Sequence, residues 1–467
     1  MAGNTIDINQ YFQSFTLNDK RREQLFANMM NTLYKAPEES ILNAAGSRNE
    51  AKKIYRLINH LEEQPDNILE SIALATMIKS EVAAKQGERV LFIQDTTSIS
   101  YGYRNIEGMG YYCDSSQKGM NVHSCIAVTE SGIALGMVHQ ESHTREKQKS
   151  GTKKGYQTKS RAIEEKENFR WINTARIVQQ QISAVDTDMD CLLVCDREGD
   201  FYELFAECVK LKLPLLVRLT QNRSLKETVQ KEGKILDALR AMEPAGTMEV
   251  KVSRNPAKKE QERTAVMEYQ FGRFELKKPV IRREKELPES VSVSAVFVHE
   301  RNETENGEES LRWFLLTTEK ISNRKEAERI IQDYIARWKI ECFHHVLKSG
   351  CKIEEKQARS YKSLTVLTIL YSVIALIILS LTYMGQVCPN LPAELIFTKE
   401  ECHVLYHAAN KTKEKIKQTY TMSEAVNDLA VLGGRKGAPS DGFAGVNSVW
   451  KGLRRLGILL EYASFVL

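Results

Sequence analysis

Residues 363–384, SLTVLTILYSVIALIILSLTYM, contain no charged side chain. A helix of that length spans about 30 Å. Such a segment either crosses a bilayer or lies at the centre of a large fold, with the rest of the chain wrapped around it. Six of its residues are Ser or Thr, and the chain has no second stretch like it. It also follows a dense polar motif directly. The expectation is a buried core helix and no membrane. A chain of 467 residues can build a fold around such a helix, and 42% hydrophobic with 27% charged residues is a globular composition.

Two apolar runs end in the same way. RVLFIQDTTS (89–98) leads to Asp95, and CLLVCDREGD (191–200) leads to Asp196. Both read as buried strands ending in an aspartate. A carboxylate at the edge of an apolar strand is costly unless something positive meets it. Ordinary strand-to-loop junctions also favour Asp. The other reading is a shared metal site, which needs a third carboxylate.

The helix expected over 323–349, within NRKEAERIIQDYIARWKIECFHHVLKSG (323–350), offers one. At about 100° per residue, Tyr334, Arg337, Glu341 and Lys348 fall within a stripe roughly 60° wide. Much of the remaining circumference is apolar, including Ile331, Ile335, Trp338, Ile340, Phe343 and Leu347. A narrow polar stripe on a buried helix suggests a site; an Arg337–Glu341 salt-bridge ladder would also produce it. Three oxygen ligands without His or Cys suit Mg²⁺, or Mn²⁺ as a substitute, rather than zinc. Carboxylates holding such ions polarise a phosphodiester, and neighbouring cations hold phosphates near them.

The surroundings alternate. Residues 17–85 read as helices, with Asn18 or Asp19 as a possible N-cap and Ser47 and Glu50 in capping-box spacing. Lys20, Arg21 and Arg22 cluster on one helix and Lys52, Lys53 and Arg56 on another. Such faces suit a DNA backbone, or simply solvent. Strand signals follow, with a hairpin at Ser131–Gly132, and then strand–helix alternation, which argues for a mixed α/β sheet. Between Arg145 and Arg161 seven Lys or Arg stand against one acid, in a stretch without apolar periodicity. It reads as a basic loop, for a polyanion or for solvent. Residues 234–318 are strands with period-two alternation, most of them an inserted antiparallel sheet whose last strand, RWFLLTTE, rejoins the core. A net charge of +5 and a pI near 8.5 are compatible with a polyanion partner. Nine scattered cysteines without metal spacing suggest reduced thiols in a cytosol, and the first residues lack the pattern of a secretory leader.

Together these residues resemble bacterial insertion-sequence transposases of the Asp-Asp-Glu class. The subgroup's signature is Tyr, two residues, Arg, three residues, Glu, six residues, Lys, and Tyr334, Arg337, Glu341 and Lys348 stand at those spacings. QDTTSISY and CDREGDFY are similar to the family's two Asp motifs, and the resemblance covers most of residues 15–385. It implies an α/β fold: a ribonuclease-H-like mixed sheet flanked by helices, with an inserted antiparallel β-subdomain and helical N- and C-terminal regions. The expected divisions are a DNA-end-binding region over 1–75, a catalytic core over 76–233 and 306–385, the insertion over 234–305, and a dimerisation region over 386–467. The resemblance implies that Asp95, Asp196 and Glu341 bind the metal. Tyr334, Arg337, Lys348 and Arg218 would contact transposon-end DNA. Trp313 and Trp338 match positions that hold a flipped base, although periodicity favours core packing for Trp338. Arg21, Arg22 and Arg56 match the end-recognition region. The implied activity is cut-and-paste transposition into target DNA through hairpin ends, by a homodimer in a bacterial cytoplasm at the nucleoid. A ribonuclease-H-like nuclease, a catalytically silent DNA-binding regulator and a membrane protein are the rivals.

Overall fold

The computed structural model describes residues 7–113, 117–146, 163–185, 188–226, 233–252, 263–280, 287–301, 310–412, 414–417, 419–436 and 443–466. Most of the expected basic loop over 145–161 lies outside them.

One nine-stranded sheet organises the chain. Its strands are β1 (Val90–Gly102), β2 (Lys118–Thr129), β3 (Ala134–His143), β4 (Cys191–Cys195), β5 (Leu215–Arg218), β6 (Gly246–Val252), β7 (Arg263–Lys277), β8 (Ser290–Glu300) and β9 (Arg312–Thr317), in the order 3-2-1-4-5-9-8-7-6. β1, β2 and β3 form an antiparallel meander, β4 runs parallel to β1 and β5 parallel to β4. This is the ribonuclease-H-like arrangement: a meander followed by two parallel strands, each reached through a helical crossover. The β2–β3 turn contains Gly132 at φ +102°, a conformation that favours glycine, as the hairpin reading expected.

Among the described residues a 3-10 turn, Ile8–Phe12, and four α-helices precede the sheet: α1 (Lys20–Lys35), α2 (Ile41–Ala44), α3 (Arg48–Leu61) and α4 (Pro65–Lys85). α4 runs unbroken through position 75, where a division was expected. Asp19 caps α1 by accepting from the Arg21 and Arg22 N–H groups. At α3 only half of the expected capping box forms: Ser47 accepts from Glu50 N–H, while the Glu50 side chain pairs with Lys53 at 2.6 Å. The crossovers are α5 (Phe169–Ser183) and α6 (Tyr202–Leu211), and α7 (Ile235–Arg240) leads into the later strands. After β9 come α8 (Arg324–Ala336), α9 (Trp338–His345), α10 (Tyr361–Val387), α11 (Lys399–Asn410), α12 (Met422–Leu432) and α13 (Val446–Val466).

Period-two alternation sends each strand's side chains into two cores. Val90, Phe92, Leu193 and Cys195 pack with Trp171 of α5 and Phe205 of α6. Leu91, Ile93, Leu192 and Val194 belong to the opposite core, with residues of α8, α9 and α10. Burial on both faces explains why β1 and β4 begin as unbroken apolar runs. The charge-free segment is α10, and 89% of its most apolar stretch is buried inside the molecule. It touches β3, α3, α4, α9, α12 and α13.

Two expectations are corrected and one is met. β1 does not end at Asp95 but continues to Gly102; its parallel neighbour β4 is what ends there. The inserted strands are antiparallel and the last rejoins the core, as expected: β9 pairs with both β5 and β8, so β6–β8 continue the core sheet. The helix over 323–349 is interrupted at Arg337 and passes into a π-helical turn, Val346–Gly350.

Candidate active site and nucleic-acid interface

Asp95 and Asp196 occupy the same rung. Gln94 pairs with Cys195 in the last registered step of the parallel β1–β4 ladder, and each aspartate is the next residue along. By alternation both belong to the face of Leu91, Ile93, Leu192 and Val194, which α8, α9 and α10 cover. Local hydrogen bonds hold them. Asp95 Oδ1 accepts from Thr96 N–H at 2.7 Å, and Asp196 Oδ1 accepts from Glu198 N–H at 2.8 Å.

The helical residues arrive from α8 and α9. Arg337, at the break between them, is 13% exposed; it pairs with Glu341 and reaches Asp95 Oδ2 at 3.9 Å. The salt-bridge reading and the site reading of this stripe therefore describe one cluster. Arg337 also lies over the Tyr334 ring at 5.7 Å. Tyr334 is buried, with Arg218 beside it and the Trp313 ring 5.9 Å away. Lys348 sits in the π-helical turn, half-buried, and makes no salt bridge among the described residues. Single π turns inside helices recur at functional sites.

The charges in this cluster do not balance. Burial pushes the Asp95 carboxyl up to about 7, and the Asp196 charge pushes it the same way. The Thr96 N–H and Arg337 pull it down, while Glu341 adds to the rise. Among the described residues, no three acidic, imidazole or thiol side chains converge closely enough to enclose an ion, since Glu341 is turned onto Arg337. The donor set still fits a hard dication. It is oxygen only, two aspartates share one rung, and their mutual repulsion is relieved by added positive charge.

An open cleft of about 960 Å³ adjoins this cluster. Its walls include Arg197, Arg218, Arg240, Arg263, Arg312 and Trp313. Among the described residues Glu300, which pairs with Arg263, is its one acidic lining residue. Trp313 is half-buried against the core. Trp338 is 58% exposed, which corrects the expectation that it packs inside.

Three family profiles match the chain: a transposase DNA-binding domain over residues 8–62, a transposase DDE domain over 169–378, and a Tn5 transposase dimerisation domain over 373–467. The chain belongs to the DDE transposases. The DDE match contains Asp196 and Glu341, while Asp95 precedes it. Among solved structures, a cryo-EM synaptic complex of piggyBac transposase with hairpin DNA is similar at a TM-score of 0.36 and 10% identity, over 89% of this chain and 71% of that one. At that distance it places no residue.

The transposase carries its N-terminal candidates within the DNA-binding match. Arg21, Arg22 and Arg56 are all exposed, on the packed pair α1 and α3. Arg22 is shared with Asp19 at 3.7 Å and with His60 at 2.9 Å. Sequence reasoning missed the other cleft arginines, Arg197, Arg240, Arg263 and Arg312. It also missed a buried polar network behind the aspartates, built on His123. Arg312 stands beside Trp313 and Arg197 beside Asp196, and both could have been noticed; Arg240 ends α7 and Arg263 opens β7, with no motif in common.

Proposed function

We propose that this transposase excises its element by metal-dependent cleavage of DNA at the element's ends and joins the freed 3′-hydroxyls to target DNA. One observation supports the reading best: two aspartates on adjacent parallel strands share a rung, with the Arg337–Glu341 pair over the same face. Asp95, Asp196 and Glu341 would hold Mg²⁺, with Mn²⁺ as a substitute. The ion supplies Lewis-acid polarisation of the phosphodiester and a nucleophile at neutral pH.

The chain's own residues do the rest. Arg337 shields the carboxylates from one another and, released from Glu341, would contact a phosphate. Tyr334, Arg218 and Lys348 would position the end backbone. The arginine-lined cleft would hold a strand leading away from the cut, and its salt dependence should be steep. Trp313 and Trp338 would stack on an extruded base while the 3′-hydroxyl attacks the opposite strand to close a hairpin. The same carboxylates then serve hairpin opening and joining, because each step is an in-line displacement at phosphorus. A homodimer on two ends, acting in the bacterial cytoplasm at the nucleoid, completes the reading.

The test is Mg²⁺-dependent cleavage of DNA carrying the element's terminal repeats, with products resolved on a denaturing gel. Hairpinned ends are expected from the wild type. Asp95→Ala, Asp196→Ala and Glu341→Ala should each lose on the order of 10⁴-fold in rate while still binding DNA. Nicks without hairpins would leave a simple nuclease, and binding without cleavage a silent regulator.

A further inference from the structure

The face of the sheet behind the two aspartates carries a continuous chain of hydrogen bonds. Gln94 and Thr96 flank Asp95 and project to the opposite side, into the α5 core. His123 of β2 stands opposite Thr96 in the ladder and is fully buried, with the Trp171 ring edge-on at 4.7 Å. Its Nδ1 lies 2.8 Å from Thr96 Oγ1 and its Nε2 lies 2.9 Å from Gln94 Oε1. Gln94 Nε2 donates to Cys195 Sγ at 3.3 Å. Arg170 donates to Thr96 Oγ1 at 3.1 Å and to Glu198 Oε2 at 3.0 Å.

The directions follow from the groups. Gln94 gives its amide N–H to Cys195, so its carbonyl oxygen faces the imidazole and must accept from Nε2–H. Burial and the nearby Arg170 hold the imidazole neutral, leaving one ring N–H. Nδ1 therefore accepts from the Thr96 hydroxyl, whose oxygen in turn accepts from Arg170. The chain runs Arg170 to Thr96 to His123 to Gln94 to Cys195. Its members adjoin Asp95 on both sides and Asp196 directly before it. Glu198, which donates its N–H to Asp196, is tied in through Arg170.

We propose that His123 is a positioning residue that locks β1 to β4 behind the active site and holds Asp95 and Asp196 at one rung against their mutual repulsion. This rests on the active-site reading above. Neutral His with Nε2–H bridges Thr96 and Gln94, whereas a phenyl ring would fill the space and bridge nothing. Outer-shell groups that orient metal ligands are typically worth 10–100-fold in metal affinity or activity.

The test uses full-length protein bound to terminal-repeat DNA. Mn²⁺ binding is measured directly from the loss of its free electron paramagnetic resonance signal, beside Mg²⁺-dependent cleavage. His123→Phe, shown folded by melting and competent in DNA binding, should bind Mn²⁺ at least ~10-fold more weakly. High Mn²⁺ should restore its cleavage. Cys195→Ser, which keeps an acceptor for Gln94, should stay within about threefold of wild type, less than the loss typical of an outer-shell group. A folded His123→Phe with wild-type Mn²⁺ binding and cleavage overturns the proposal. If His123→Phe does not fold, Thr96→Val breaks the same chain and is judged by the same two results. Asp95→Ala separates the readings. If it still binds Mn²⁺ and cleaves, the active-site reading fails; if it loses both while His123→Phe is indifferent, only the positioning role fails.

Discussion

Arg89 and Arg337 are two buried guanidiniums that face acidic side chains at different points along β1, and they are built for opposite ends. Arg89 precedes the strand and is 2% exposed, with Asp333 at 3.0 Å, Glu319 at 2.5 Å and Asp190 at 3.4 Å. Arg337 faces Glu341 and Asp95, with the Asp196 charge acting on the same cluster. Burial is the first cause that lifts the carboxyl of both Asp333 and Asp95. The second cause differs in sign. For Asp333 it is Arg89, which pulls the carboxyl down; for Asp95 it is Asp196, which pushes it further up. Attraction closes the first cluster into an anchor between β1 and α8. Repulsion leaves the second poised to accept positive charge.

Breaking the anchor should have the larger effect on folding. Arg89→Leu removes the cation from Asp333, which is 2% exposed, and leaves buried carboxylate uncompensated. The expected loss is about 3–5 kcal/mol, read by denaturant melts and by recovery of soluble protein. Because Asp333 precedes Tyr334 and lies in α8, any protein that still folds should also lose cleavage. A loss under ~1 kcal/mol, the range of exposed pairs, would mean the cluster anchors nothing.

At the other cluster the same kind of change should stabilise. The unfolded chain holds the Asp95 carboxyl near its ordinary 3.8, and the fold holds it at about 7. Between those values the folded state keeps a proton that the unfolded state has lost, so this residue costs stability as pH rises and costs most above about 7. Asp95→Asn removes that cost while keeping an acceptor for Thr96 N–H. Its melting temperature without divalent ions should exceed wild type by on the order of 2 °C at pH 8. The gap should narrow as pH falls from about 7 towards 4. A constant gap, or none, would show that repulsion at this rung is not what the geometry implies.

The contrast also marks what the sequence could disclose. Asp95, Asp196 and the Tyr334–Arg337–Glu341 stripe were legible because periods of 2 and 3.6 report which residues share a face of one element. α10 was legible because its composition left one soluble solution. The Arg89–Asp333 pair was not, since it joins residues 244 positions apart with no pattern between them. Nor was the His123 chain, whose members look like ordinary strand residues until β1, β2 and β4 are laid side by side. Period-two alternation identified β6–β8 as strands but not the edge they extend. The break at Arg337 left no Pro or Gly as a sign.

Trp338 gives the smallest effect on folding and the sharpest distinction between anchoring and acting. Its neighbour Arg337 is mostly buried, whereas the indole is 58% exposed. A tryptophan that held α9 in place would cost about 3–5 kcal/mol on truncation. An exposed ring away from such packing should change stability by no more than ~0.5 kcal/mol. Trp338→Ala should therefore melt like wild type and bind the element's ends with little change. Stacking on an extruded base is worth about 1–3 kcal/mol, so hairpin formation should slow by roughly 5- to 150-fold while the first nick is spared. An equal loss in both steps would place the ring against the DNA backbone instead, and a large drop in melting temperature would return it to the core.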